Sequence, residues 1–209
     1  FSNISLERDR QRLAWDVGPC NLVLNALAGR EGLPFDALGQ LAASGRVLPE
    51  LLADWMNLPY HNQPAPKSLG VEWLQQSFWP VLEQHEHDGA LATQDLLATA
   101  VAYIAAQVRL AANGRKTLVT GGGAFNDELV RRFGEIAPIV ERDVPFEAFV
   151  PDATLVQGKE AFAFGFLGLL RWLECDNVWP EVTGSSKAHM GGALWGKNGL
   201  SSLPPNAMQ

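Results

Sequence analysis

The sequence predicts an α/β domain built on a mixed sheet flanked by helices. Three observations lead there: two short strand-like runs at the start, an apolar helix directly after them, and a strand–turn–helix–strand pattern beyond residue 115. The 209 residues, 47% hydrophobic, suffice for one domain with a sizeable core, expected over residues 1–200 with a mobile tail over 201–209.

Taken in order, Phe1-Ser2-Asn3-Ile4-Ser5-Leu6 reads as a strand, residues 7–10 as a turn and Arg12-Leu13-Ala14-Trp15-Asp16 as a second strand, so the chain opens inside a hairpin system. Gly18-Pro19 then punctuates the start of a helix over 21–28, where Leu22, Val23, Leu24, Ala26 and Leu27 recur at helical spacing and Gly29 ends the run. Residues 34–44 and 49–57 each begin with proline, which a first helical turn tolerates, and read as two short helices inserted over the core. The proline-rich stretch 58–66 predicts an exposed loop, either a linker or the rim of a site.

Apolar periodicity predicts helices over 71–83 and 93–110, the second stopped by Asn113-Gly114. Residues 116–120 read as a strand, Gly121-Gly122-Gly123 as a turn, Asn126 as the N-cap of a helix running to Phe133, and Pro138 to Val140 as a following strand. An apolar helix is predicted over 159–174, then a loop-rich region with a turn at Thr183-Gly184-Ser185-Ser186. The seven tryptophans are expected chiefly in the core.

Charge and cysteine content narrow the function classes. A net charge of −7 opposes polyanions at long range, which argues against nucleic acid and leaves any anion site to local backbone dipoles. Cys20 and Cys175 are far apart and belong to no metal or redox motif, which suits a reducing cytoplasmic setting. No leader-like segment or uninterrupted apolar run points to a membrane.

Candidate chemistry sits at the strand ends. In Thr120-Gly121-Gly122-Gly123-Ala124-Phe125-Asn126 the glycine backbones can approach a phosphate or nucleoside closely, although three glycines alone also suit a tight turn. Asp127 and Glu128 in the next helical turn would repel a γ-phosphate, so the loop suits the nucleoside end. Asp16-Val17-Gly18-Pro19-Cys20-Asn21 puts a carboxylate at a strand's carboxyl end and Asn21 at a helix start, a ligand-contact position in α/β sheets, though an aspartate there can equally organise a turn. Glu160, in a run of apolar residues, either caps a helix or faces a polar cleft. His85 and His87 alternate with acids in a segment expected to be a solvated loop rather than a metal site, and His61 and His189 have no evident partners.

Together these pieces resemble, over nearly all of residues 1–197, the C-terminal half of the anhydro-N-acetylmuramic acid kinase family, of the actin/hexokinase-type, RNase H-like ATPase fold. The resemblance rests on Asn3-Ile4-Ser5, on Asp16-Val17-Gly18-Pro19-Cys20-Asn21 against D-T-G-P-G-N, and on Lys67-Ser68-Leu69-Gly70-Val71-Glu72 against K-S-T-G-R-E. It continues in Val119-Thr120-Gly121-Gly122-Gly123-Ala124-Phe125-Asn126 against C-G-G-G-A-x-N, Glu160-Ala161-Phe162-Ala163-Phe164 against E-A-x-A-F, and Val182-Thr183-Gly184-Ser185-Ser186 against V-T-G-A-S. Single matches of this length carry little; six in the same order carry much more.

The resemblance implies a kinase that uses ATP with Mg²⁺ to phosphorylate O6 of 1,6-anhydro-N-acetylmuramic acid while water opens the anhydro ring. It implies that Gly121, Gly122, Gly123 and Asn126 line the nucleotide site and that Glu160 faces the sugar and the attacking water. Asn3, Ser5, Asp16, Gly18 and Asn21 are then expected in the phosphate or substrate cleft. The family's general-base aspartate and its G-T-S-x-D-G phosphate loop belong to an N-terminal half, so this chain is expected to be inactive alone, to need that half as partner, and to lack the first strand of its sheet. A homodimer stays open. Val17, Cys20, Leu69 and Val71 depart from the family pattern, where Thr, Gly, Thr and Arg stand. Two other readings stay open: a degenerate domain of this fold acting as a binding module, and a different sugar kinase.

Overall fold

The computed structural model describes residues 1–87, 89–135 and 146–195. Strands β1 (Ser2–Arg8) and β2 (Gln11–Gly18) form an antiparallel hairpin. Asp9 and Arg10 both take positive φ, 52° and 65°, the backbone that a two-residue turn between right-twisted strands requires. Pairing of Ile4 with Trp15 and of Leu6 with Leu13 puts these apolar side chains on one face, and Asn3, opposite Asp16, falls with Ser5 on the other.

Helix α1 (Asn21–Ala28) follows as the spacing predicts and buries Val23, Leu24, Leu27 and Ala28. Residues 34–44 do not form the single helix expected of them. Asp36, 7% exposed, accepts from the amides of Leu41 (2.9 Å) and Ala42 (3.0 Å), so α2 (Gln40–Ser44) starts only where that carboxylate can cap it. A 3₁₀ turn at Ala37–Gly39 leads in, and Gly39 (φ 75°) lies so close to Asn126 that a side chain would collide with its carboxamide.

Helix α3 (Pro49–Met56) belongs to the core rather than to an insertion over it: Leu51, Leu52 and Trp55 are almost fully buried, and Trp55 stacks on Phe78 at 4.4 Å. The expected exposed loop at 58–66 turns inward at Leu58 and Tyr60, while Asn62, Gln63, Pro64 and Pro66 stay exposed. Its 3₁₀ turn Pro59–Asn62 buries Tyr60, whose hydroxyl donates to the Asp16 carbonyl at 2.7 Å, a bond that offsets the cost of burying a polar group.

Residues 71–85 run as α4 (Val71–Trp73), a π-helical turn (Leu74–Phe78) and α5 (Trp79–His85). Pro80 accounts for the widened turn, because its ring lacks an N–H and would clash with the carbonyl four residues earlier in a regular helix. His85 ends α5 and is paired with Asp54 (2.8 Å) rather than lying in the expected solvated loop, and the described residues hold no cluster of three metal-ligating side chains.

The longest core element is α6 (Thr93–Ala112), which packs against α1, α2, α3 and both hairpin strands. By length and composition it could cross a membrane, yet 78% of its apolar window is buried inside the protein. Asn113 in the left-handed region (φ 47°) ends it, as predicted.

Strand β3 (Lys116–Leu118) and α7 (Asp127–Phe133) also match expectation. The strand predicted at 138–140 lies outside the described residues, as does the predicted tail; β3 instead pairs in parallel with β4 (Glu147–Phe149). The described strands therefore form two separate two-stranded sheets rather than one mixed sheet, since no described strand bridges β1 and β3.

Helix α8 (Ala153–Trp172) begins six residues before the predicted start because Asp152 caps it, accepting from the Leu155 amide at 3.0 Å. Only Val156 of this helix is buried, and Phe162 and Phe164 are 77% and 71% exposed. Helix α9 (Pro180–Thr183) packs back against β2. The seven tryptophans are therefore not chiefly in the core: Trp55 is, Trp73 and Trp79 flank it, Trp15 is half-buried on the hairpin, and Trp172, Trp179 and Trp195 are exposed.

Replacing Trp55 by alanine is expected to lower unfolding free energy by about 3–5 kcal/mol in urea titrations, the cost of an aromatic-sized cavity. Trp195→Ala is expected to change it by less than about 0.5 kcal/mol, as for an exposed site without such a feature.

Candidate functional site

At the carboxyl end of β2, Gly18 lies beneath the hydroxyl of Tyr103, and its carbonyl accepts from Ser2 Oγ at 3.0 Å. The chain then turns through Pro19 and Cys20 into α1, placing Asn21 at the helix start. Burial raises the pKa of the Cys20 thiol, so the residue that replaces the family glycine is an uncharged filler at this turn.

The glycine turn after β3 meets this segment. Gly121 has a φ of 81°, which favours glycine, and a Cβ on Gly122 would lie 2.7 Å from Asn21 Nδ2. A Cβ on Gly123 would lie 3.4 Å from Cys20 Sγ. The Asn21 carboxamide thus lies against the glycine backbone at a neutral junction, the notch between the two turns, where Gly122 stays exposed. Such a notch suits a group recognised by backbone amides and a neutral donor–acceptor side chain.

Asn126 is placed deeper. It is 8% exposed and its Oδ1 accepts from the Leu129 amide at 2.9 Å, the predicted N-cap, so its oxygen holds the helix that follows the notch. Glu128, on the same helix, is clasped by Arg131 (2.7 Å) and Arg132 (2.8 Å). The hydrogen bond from Arg131, strengthened by that from Arg132, holds its carboxyl below the usual range, so it stays ionised and neutralised.

Asp16 anchors a second motif to the first. Its Oδ2 accepts from the Leu69 amide at 2.8 Å, and its amide donates to the Lys67 carbonyl at 3.1 Å. The side chain predicted as either ligand contact or turn organiser therefore organises a turn with at least one oxygen. Lys67 continues the clamp: Nζ donates to the carbonyls of Tyr60 (2.8 Å) and His61 (3.3 Å) and lies 4.4 Å from the centre of the Tyr60 ring. Burial lowers its pKa.

His61, which had no evident partner in the sequence, shares a 2.9 Å hydrogen bond between Nε2 and the Tyr103 hydroxyl. Burial, with the nearby Lys67 ammonium adding to it, lowers its pKa to about 4. Burial raises the Tyr60 and Tyr103 hydroxyls far above their ordinary range. Sequence reasoning missed this Tyr60–His61–Tyr103–Lys67 network; the aromatic content of 58–66 was its one legible sign.

The last motif closes on the same strand, since α9 packs on β2 and a Cβ on Gly184 (φ 73°) would sit 3.7 Å from Pro66 Cγ. Asn3 and Ser5 are exposed on the hairpin face that carries Asp16. Glu160 stands apart. It lies well inside α8, exposed, so it is not the helix cap that one reading expected, and α8 makes no extensive contact with any other described element.

Neutral His61 stabilises the fold while its unfolded counterpart, with an ordinary pKa near 6.5, takes up a proton first. Its contribution is expected to be complete above about pH 6.5 and to be lost as pH falls toward 4, so denaturation midpoints of the parent fall more steeply over that window than those of His61→Gln. Asp16→Ala is expected to cost about 1–3 kcal/mol in the same titrations, by leaving the Leu69 amide unsatisfied, and Asp16→Asn less.

Five of the six quoted segments thus gather around the hairpin, β2 and the glycine turn. A family model for anhydro-N-acetylmuramic acid kinase matches residues 1–197. With most of the sequence inside that match, the chain belongs to the anhydro-N-acetylmuramic acid kinase family.

Proposed function

We infer that this chain supplies the nucleotide-binding wall of a kinase that hydrolytically opens 1,6-anhydro-N-acetylmuramic acid and phosphorylates its O6, in cytoplasmic recycling of cell-wall sugar. The observation that carries this reading is the approach of Asn21 to Gly122, which joins two motifs about a hundred residues apart in one notch. The family also implies an actin-like ATPase fold, to which the hairpin and the parallel β3–α7–β4 unit are both suited.

ATP fits the notch as an adenosine-end ligand. Gly121 and Gly122 leave backbone accessible, Asn21 offers a neutral amide, and exposed Asp127 just beyond disfavours phosphate at that helix. Mg²⁺ would arrive on the nucleotide, since it usually keeps several waters and needs only one or two protein carboxylates. When bound, the magnesium nucleotide supplies the phosphoryl group and neutralises its charge.

This chain's own part is then to hold and orient the nucleotide. Asp16, through Leu69 and Lys67, fixes the angle at which the Gly18–Asn21 turn meets the glycine turn. Asn3 and Ser5, on the exposed hairpin face, are proposed to line the phosphate side of the cleft, and Glu160 to contact the sugar and its attacking water. The base that activates this water is proposed to stand on the N-terminal half of the family enzyme, across the cleft from this chain.

Calorimetric titration with Mg-ATP tests the nucleotide role. Weak binding without turnover is expected of the chain alone, and ATP-dependent turnover of the anhydro-sugar once it is joined to the family's N-terminal half. Gly122→Val is expected to weaken Mg-ATP at least about tenfold with little change in melting temperature, because the new side chain displaces Asn21. Nucleotide binding absent from both forms would instead favour a degenerate binding module; turnover of some other sugar alone would retain the kinase and reassign its substrate.

A further inference from the structure

A cavity of about 760 Å³ lies between the hairpin and the C-terminal half of α6, within the size range of small-molecule sites. The glycine notch contributes none of its lining residues. Leu13 and Trp15 of β2 and Leu110 of α6 give it an apolar lining. Its charged lining residues are Arg8, Lys67 and Arg115, and among the described residues no aspartate or glutamate lines it, although the chain as a whole carries a net charge of −7.

The cations differ in availability. Lys67 spends its ammonium on the Tyr60 and His61 carbonyls, so it contributes field rather than a free donor. Arg115 gives one N–H to the Ala112 carbonyl at 3.3 Å and keeps the rest of its five. Among the described residues Arg8 pairs with Asp9 alone, at 3.7 Å with both side chains largely exposed, a contact too weak to compete with a second anion. Gln107 adds a neutral polar group to the wall. A planar apolar body could pack against Trp15 and the leucines while its anionic end met two guanidinium groups, which bind carboxylate or phosphate oxygens in pairs.

We propose that this cavity is a second ligand site, separate from the nucleotide notch, that takes a small anion with an aromatic or aliphatic body.

The test titrates the chain calorimetrically with 1-naphthyl phosphate and, as the neutral control, 1-naphthol. One saturable site is expected for the phosphate, with the naphthol at least tenfold weaker. Arg8→Gln combined with Arg115→Gln should weaken the phosphate at least tenfold, and Ala111→Trp, which fills the cavity, should remove it. Arg115→Gln alone changes an exposed residue, so it should fold normally and show part of the loss. Gly122→Val should leave this binding unchanged. Affinity that ignores the arginines would place the probe on an apolar surface such as α8 and overturn the proposal; affinity that follows Gly122→Val instead would place it in the notch and do the same. Absence of saturable binding would also overturn it.

Discussion

The burial of α6 is the constraint from which the rest of the fold follows. From Leu96 to Ala106 every side chain is buried, and alanines at 98, 100, 102, 105 and 106 keep the helix thin enough for other elements to approach on several sides. Its polar groups are used to fix those neighbours. Thr99 Oγ1 accepts from the Leu48 amide (2.9 Å) and donates to the Asp95 carbonyl (2.7 Å), which seats the start of α3, and Arg109 donates to the Phe133 carbonyl (2.5 Å), which seats the end of α7. Tyr103 reaches from the same helix to His61, and its hydroxyl lies against Gly18.

The candidate site inherits its shape from that arrangement. The Gly18–Asn21 turn rests on α6 through Tyr103, and the glycine turn is held by α7, whose packing on α6 and Asn126 cap set its position. The clamp from Asp16 to residues 67–69 then prevents the first turn from shifting along the strand. Most of the polar atoms in this region support one another, and the exposed glycine backbone with Asn21 is left for a ligand. Binding groups held by rigid elements lose less freedom on binding than groups on loops.

Local signals in the sequence carried local structure. The helix over 21–28, the Asn113 stop and the Asn126 cap were legible because each depends on residues within one or two turns. Asp36 capping from outside its helix, the inward turn of Tyr60 and the partner of His61 depend on contacts between distant segments, which periodicity does not encode. The core role of Trp55 was hidden for the same reason: a short amphipathic helix looks alike whether it covers a core or fills one. Motif order pointed to the residues that meet at the notch, but it is the packing of distant segments that brings Asn21 against Gly122 and leaves Glu160 exposed on α8.

The π-helical turn at Leu74–Phe78 also bears on chain length. A π turn holds one more residue than the α turn it replaces, so losing any single residue there would let the helix close into regular α geometry without breaking it. The α turn sweeps nearly the same angle with one residue fewer, so Leu82 would keep facing the core and His85 would stay beside Asp54. Loss of a residue from the regular α turns on either side would instead rotate everything beyond it by about 100°. Between Gly70 and His85 the chain therefore tolerates a change of count only at the π turn.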